Sequence, residues 1–370
     1  MAAHPSEYQI TMTLMKTNVL AGFLIFFLAG RADGQAASSG KFFAADNPAI
    51  QYTGRVDFTD VRKPRFWAPG VYLTVRFQGP ACEVDITDEV LNGTSHNYVE
   101  IVVDGVLSRR QLTGKTNTLV VARGLTDTPH VLTICKNTEA LIGYLEFTGL
   151  RCAKLLTPPA RPARRIEFIG NSITCGMGAD MAAIACDQGQ WYDQHNAYLA
   201  YGPRTARALG AEWQLTAESG IGLIHSCCNK PNLMPQEFGT IDLRVGGKAW
   251  DFRRYQPDVV TISLGQNDGV QDSVQFCGAY ITFLKTLRAA YPRARLLCLT
   301  SPMANARLTA VLRRYLTGVV AAARAGGEAN VDSFFFARSY NGGCGAHPSL
   351  AEQELIAGEL TAYLRRALGW

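Results

Sequence analysis

The stretch "TPPARPARR", residues 157–165, divides the chain into two halves with different rhythms. Its three prolines fix φ and remove backbone donors, so it reads as a linker rather than the interior of a strand or helix. Ahead of it, from about residue 40 to 156, come short alternating runs: "GVYLTVRFQG", "CEVDITDEV", "NYVEIVVDG", "HVLTICKNT" and "LIGYLEFTGL". Turn residues separate them and no helical period intervenes, which predicts a β-sandwich of the jelly-roll kind. Behind it, strands alternate with helices: "RIEFIG", "AYGPRTARALG", "EWQLTAESG", "PDVVTISLGQND", "VQFCGAYITFLKTLRAAYP", "ARLLCLTSPM", "ARLTAVLRRYLTGVVAAARAGG", "VDSFFFA" and "LAEQELIAGELTAYLRRAL". That order predicts a parallel sheet covered on both faces, a three-layer α/β domain over residues 166–370.

A chain of 370 residues is long enough for two such domains, and 47% hydrophobic against 18% charged residues is a globular composition. The net charge of +5 is mild, and the basic residues are scattered in short groups such as Arg161–Arg165. No long basic run or aromatic-interleaved stripe is present, so nucleic acid is not an expected partner.

The start of the chain, "LMKTNVLAGFLIFFLAGRADGQAASSG", has a lysine, an apolar run from Val19 to Ala29, and small residues from Ala32 to Ala36. Residues 1–36 are therefore expected to be a secretory signal peptide, with residues 1–11 an extension ahead of the more usual starts at Met12 or Met15. The apolar run is short for a membrane span, and a mature protein without one is expected. Ten cysteines in an exported chain permit disulfides, but the spacing assigns no pairing. Cys82, Cys135 and Cys298 fall in apolar strand-like runs and read as buried small hydrophobes. With no CxxC pair and with Cys227 adjacent to Cys228, neither a metal site nor a cofactor is expected. A monomer is expected.

The chemistry gathers at strand ends. "FIGNSITCGMG" runs an apolar strand into a glycine-bracketed Ser172; "ESGIGL" brings Gly220, "LGQNDG" brings Asn267, and "CGAHPS" brings His347. Parallel strands share one carboxyl edge, so these four segments should converge. A serine hydroxyl needs a base to become a nucleophile, and imidazole suits that role at neutral pH. The oxyanion of acyl transfer needs donors already in place, here the N–H of Ser172, the N–H of Gly220 and the side-chain amide of Asn267. Singly, each segment has a plain structural reading: an Asx turn at Asn267, a tight turn at Gly220, a packed or capping histidine at His347. The ordered set points to a serine nucleophile with its base and its oxyanion donors.

"GNSIT", "SGIGL", "GQND" and "HPS", in this order, resemble the four blocks of the SGNH (GDSL-type) hydrolases, with Asn171 where an aspartate usually precedes the serine. "NPAIQYTGRVDFTDVRKPRFWAPGVYLTVRF" and "NYVEIVVDG" resemble the jelly roll that precedes the SGNH domain in carbohydrate esterase family 2. The resemblance covers roughly residues 45–370. It implies a flavodoxin-like catalytic domain and removal of O-acetyl groups from plant polysaccharides or oligosaccharides such as xylan and glucomannan. By that likeness Ser172 is the nucleophile and His347 the general base, with Ser172, Gly220 and Asn267 forming the oxyanion hole. The places where the superfamily carries an acid, two or three residues before the histidine, hold Gly345 and Cys344. The resemblance then implies a Ser–His dyad whose imidazole is oriented by a backbone carbonyl. Trp191 and Tyr192, in an insertion after the nucleophile, are candidates to stack on a sugar ring. Trp250 reads as buried, and Trp67 as packing one domain on the other. A carbohydrate-binding protein that has lost catalysis, and a lipase on the same fold, are the competing readings.

Overall fold

The computed structural model describes residues 40–370. The segment read as a signal peptide lies outside the described residues. Among the described residues, no helix is long and apolar enough to cross a membrane.

The first half contains nine antiparallel strands: β1 (Lys41–Ala44), β2 (Gln51–Thr53), β3 (Arg65–Phe66), β4 (Tyr72–Asp88), β5 (Tyr98–Val103), β6 (Val106–Gln111), β7 (Thr116–Ala122), β8 (Pro129–Lys136) and β9 (Leu145–Leu156). Strand β4 organises them. Leu73, Val75 and Phe77 face the core, then Cys82, Val84 and Ile86 do, so the inward parity changes across Gly79-Pro80-Ala81. A bulge there, marked by Gly79 at φ 121°, keeps both halves of the strand pointing into one core. The first half of β4 pairs with β8 and the second with β7, so β4 passes from one layer of the sandwich to the other. What the sequence divides into two strands is thus one bent strand.

The second half runs β10 (Arg164–Gly170), α1 (Ser172–Cys175), α2 (Tyr201–Ala208), β11 (Ala211–Ala217), α3 (Met234–Glu237), β12 (Val259–Ile262), α4 (Ser273–Ala290), β13 (Arg295–Leu299), α5 (Ala306–Ala325), β14 (Val331–Phe334) and α6 (Leu350–Leu368). The five strands are parallel, in the order β11-β10-β12-β13-β14. Helices α2 and α6 bury Tyr201, Ile356 and Leu360 against Phe168 and Leu215 on one face. Helices α4 and α5 bury Phe276, Phe283, Leu312 and Leu316 against Ile169, Ile262 and Leu296 on the other. The chain steps from β10 to β11 on one side and then to β12 on the other, which opens a crevice beyond the carboxyl ends of β10 and β12.

Strand β10 begins at Arg164, two residues inside the stretch expected to be linker. The amide of Arg165 donates to Asp258 Oδ2 at 2.8 Å and the amide of Asp258 to the Arg165 carbonyl at 2.9 Å, and this draws the two arginines into the sheet.

The halves are joined by buried polar contacts. Arg55 is fully buried, donates to the carbonyls of Phe238 and Thr240 at 2.6 Å each, and pairs with the buried Glu167 of β10 at 3.2 Å. Trp213 stacks on Tyr72 and donates to the Gly70 carbonyl at 2.9 Å. Trp67 packs against the cluster of Ile241, Trp250 and Tyr255, as expected of a residue between the halves, and Trp250 is buried. Cys82, Cys135 and Cys298 are buried free thiols.

Candidate active site

Strand β10 ends at Gly170, and Asn171 caps the four-residue helix α1, accepting from the Ile173 amide at 3.2 Å. This sharp turn leaves Ser172 at the helix start, 5% exposed, over the carboxyl edge of the sheet. Gly176 and Gly178 follow with φ of 74° and 65°, left-handed values that glycine tolerates best.

His347 meets the serine from the other end of the chain. Its Nε2 lies 2.8 Å from Ser172 Oγ, and its Nδ1 lies 3.0 Å from the Gly345 carbonyl. A proton on Nδ1 donated to that carbonyl leaves Nε2 as the acceptor for the serine hydroxyl. The Gly345 carbonyl thus lies against Nδ1, the nitrogen that the resemblance leaves to a backbone carbonyl. Burial holds His347 below the ordinary histidine pKa, while the Gly345 and Cys344 backbone contacts work against that fall.

The loop bearing His347 is fixed on three sides. The Cys344 amide donates to the Gly178 carbonyl at 2.8 Å, and a disulfide joins Cys344 to Cys186 in the insertion that follows Ser172. Glu352, in the first turn of α6, accepts from the amides of Gly342 and Ser349 at 2.7 and 2.9 Å.

The two remaining segments close the site. Gly220, at φ 80°, has its carbonyl tied to the Cys227 amide at 2.9 Å. Asn267 Nδ2 donates one proton to the Ile221 carbonyl at 2.8 Å, which fixes the amide plane and leaves its second N–H available. The neighbouring Asp268, buried, gathers the amides of Leu223, Ile224 and His225 at 2.7 to 3.0 Å and so binds the Gly220 loop to the Asn267 loop. Ser172, Gly220, Asn267 and His347 all line one cavity of about 400 Å³, with Leu141, Met177, Trp191, Cys227, Cys228 and Met303 among its walls.

Trp191 and Tyr192 part company. Trp191 is 44% exposed and lines the cavity, set edge-on over the buried His195 at 5.1 Å. Burial pushes the His195 pKa down to about 3, with His347 adding to the fall, so the ring under Trp191 is neutral. Tyr192 is 4% exposed and packs edge-on against His96, so its ring supports Trp191 and has no face to offer a ligand. Several wall residues carry no mark in the sequence. Leu141 comes from the β-sandwich half, and Cys227 and Cys228 form a disulfide with each other beside Gly220.

Residues 52–159 match the carbohydrate esterase 2 N-terminal family, and residues 168–350 match the GDSL-like lipase/acylhydrolase family. The cellulase/esterase CelE of Acetivibrio thermocellus is 33% identical over 335 residues, covering 88% of this chain; the chain spans only 40% of the length of CelE. An acetylxylan esterase/glucomannan deacetylase of Cellvibrio japonicus is 28% identical over 363 residues, covering 93% of this chain and 96% of the relative. Among solved structures, a family two carbohydrate esterase from Clostridium thermocellum in complex with cellohexaose superposes with a TM-score of 0.80 at 32% identity, over 87% of this chain and 99% of that one. Sheet order, converging loops and this likeness over most of the chain agree: the chain belongs to carbohydrate esterase family 2.

Proposed function

We propose that the protein is a secreted carbohydrate O-acetylesterase that works through an acetyl-enzyme on Ser172. The observation that carries the reading is the 2.8 Å approach of His347 Nε2 to Ser172 Oγ, with Gly345 on Nδ1, at the mouth of a cavity shared with Gly220 and Asn267. His347 takes the Ser172 proton as Oγ attacks the acetyl carbon. The oxyanion is met by the N–H groups of Ser172 and Gly220 and by Asn267 Nδ2. His347 then returns the proton to the departing sugar oxygen, the acetyl group stays on Ser172, and a water that gives its proton to Nε2 attacks the acetyl carbonyl; His347 passes that proton to Ser172 Oγ as acetate leaves. The neutral Gly345 carbonyl fixes the tautomer but stabilises the imidazolium less than a carboxylate would.

The substrate is an acetylated polysaccharide or oligosaccharide, with Trp191 providing a stacking surface beside the site; the names of the xylan- and glucomannan-deacetylating relative support this class. The domain assignment is a signal peptide at 1–36 with its upstream extension, a β-sandwich at 40–156, a linker at 157–165 and the SGNH catalytic domain at 166–370. The protein acts as a monomer without metal or cofactor, and the Cys186–Cys344 bridge suits an oxidising compartment. The test is acetate release from 4-nitrophenyl acetate, acetylated xylan and acetylated glucomannan by the protein and by its Ser172→Ala form. Release from a polysaccharide that disappears in the variant is expected; no release from any of the three by folded protein would move the reading to sugar binding.

A further inference from the structure

The β-sandwich sends a carboxylate into the catalytic half. Lys136, at the end of β8, is fully buried, and its Nζ donates to the carbonyls of Thr138 and Glu139 at 2.8 and 3.0 Å. This curls residues 136–139 into a tight turn. Asn137 docks the turn on the catalytic half: its carbonyl accepts from the Ala197 amide at 3.2 Å and its Oδ1 from the Tyr198 amide at 3.1 Å. Glu139 is thereby carried, fully buried, to the loop that follows β11, where its Oε2 accepts from the Ser219 amide at 2.8 Å and from Ser219 Oγ at 2.6 Å.

Burying a carboxyl group is costly unless it is hydrogen-bonded. Here both bonds to Ser219 converge on the residue immediately before Gly220. Ser219 is gripped by Glu139 on one side, and the Gly220 carbonyl is tied to the Cys227 amide on the other. The peptide between them, whose N–H is the Gly220 donor, has little freedom to rotate. Leu141, two residues beyond Glu139, lines the cavity itself, so the same turn supplies a wall and a brace.

We propose that Glu139 is a positioning residue that holds the Ser219–Gly220 peptide in register for the oxyanion, so that the β-sandwich is a working part of the active site. The proposal rests on the reading of Gly220 N–H as an oxyanion donor. It needs only that residue 139 accept from Ser219, so a glutamine should serve and an alanine should not.

The test uses the full chain with Glu139→Ala, Glu139→Gln and Ser219→Ala, each compared with wild type in melting temperature, kcat and KM on 4-nitrophenyl acetate, and with Ser172→Ala as reference. Because loss of a whole oxyanion donor costs on the order of a hundredfold to a thousandfold, Glu139→Ala is expected to lower kcat by about tenfold to a hundredfold with KM nearly unchanged. Glu139→Gln should restore most of that loss, and Ser219→Ala, which removes one of the two bonds, should lower kcat by roughly threefold to tenfold. Wild-type kcat in folded Glu139→Ala overturns the proposal, as does a loss confined to KM or a glutamine variant no better than the alanine one. If Glu139→Ala fails to fold, Ser219→Ala decides, and wild-type kcat there overturns the proposal. Turnover that survives in Ser172→Ala would instead remove the reading beneath it, while an inactive Ser172→Ala beside an unaffected Glu139→Ala would fell the positioning role alone.

Discussion

The Cys186–Cys344 bridge offers a test in which stability and catalysis should separate. It joins positions 158 residues apart, from the insertion that follows Ser172 to the loop that carries His347. In the chain-entropy treatment, closing a loop of that length removes about 17 cal/mol/K from the unfolded chain, or about 5 kcal/mol at 25 °C, against the 2–4 kcal/mol that disulfides typically deliver. At roughly 2–4 °C of melting temperature per kcal/mol, the double variant Cys186→Ser/Cys344→Ser should melt on the order of 10 °C lower. Catalysis should suffer much less. The Cys344 amide remains bonded to the Gly178 carbonyl, Glu352 still grips Gly342 and Ser349, and the Gly345 carbonyl still faces Nδ1 of His347. A misplacement of about 1 Å can cost on the order of a hundredfold, so kcat at 25 °C within about tenfold of wild type is expected of a loop that stays in place. Differential scanning calorimetry without reductant and steady-state hydrolysis of 4-nitrophenyl acetate measure the two quantities. A double variant that melts within about 2 °C of wild type would refute the stabilising role. One that is folded at 25 °C but has lost about a hundredfold in kcat would show that the bridge, and not the backbone contacts, holds His347.

On the proposed oxyanion role of its fixed amide, Asn267→Ala should lower kcat by about a hundredfold to a thousandfold with little change in KM; a change mainly in KM would speak against that role. Burial holds His347 below the ordinary histidine value, so the neutral imidazole should persist below pH 6.5 and activity should fall only as pH drops through that lowered pKa; an acid-limb midpoint for kcat/KM above about pH 7 would contradict this. The same lowering makes His347 a source of stability that is present at neutral pH and lost as pH falls. Trp191→Ala should raise KM for an acetylated polysaccharide several-fold, about 1 kcal/mol or more of stacking, while leaving 4-nitrophenyl acetate turnover unchanged; equal effects on both substrates would place Trp191 in the chemistry instead.

How far these features were legible in the sequence depended on whether their cause was local. Strand β10 running into Ser172 was readable because an apolar run, a helix cap and two left-handed glycines are neighbours in the chain. Helices α4, α5 and α6 are legible as long segments alternating with short apolar strands, and Asp272, Asn305 and Ser349 cap them. Strand β4 divides in two in the sequence because the Gly79-Pro80-Ala81 bulge reverses its inward parity, which there resembles a turn. Strand β6, the mostly exposed "VLSRRQ", and β7 lack a clear alternation of buried positions, so no pattern in the sequence marks them as strands. Tyr192 shared the insertion with Trp191, but only packing against His96 decides which ring faces the cavity. Asp268 carries no mark of its own beside the Asx-turn reading of Asn267, and its partners lie more than forty positions away. The Glu139 contact with Ser219 and the Cys186–Cys344 bridge span 80 and 158 positions, and no local pattern announces them.

The central claim is a covalent acetyl-enzyme on Ser172, and the most direct measurement is mass spectrometry of the protein quenched by acid during turnover of 4-nitrophenyl acetate. The account predicts one acetyl group on the peptide that contains Ser172, absent when Ser172→Ala is treated in the same way and accompanied there by loss of hydrolysis. An acetyl group on another residue, or an unlabelled Ser172→Ala protein that still hydrolyses the ester at the wild-type rate, would contradict it.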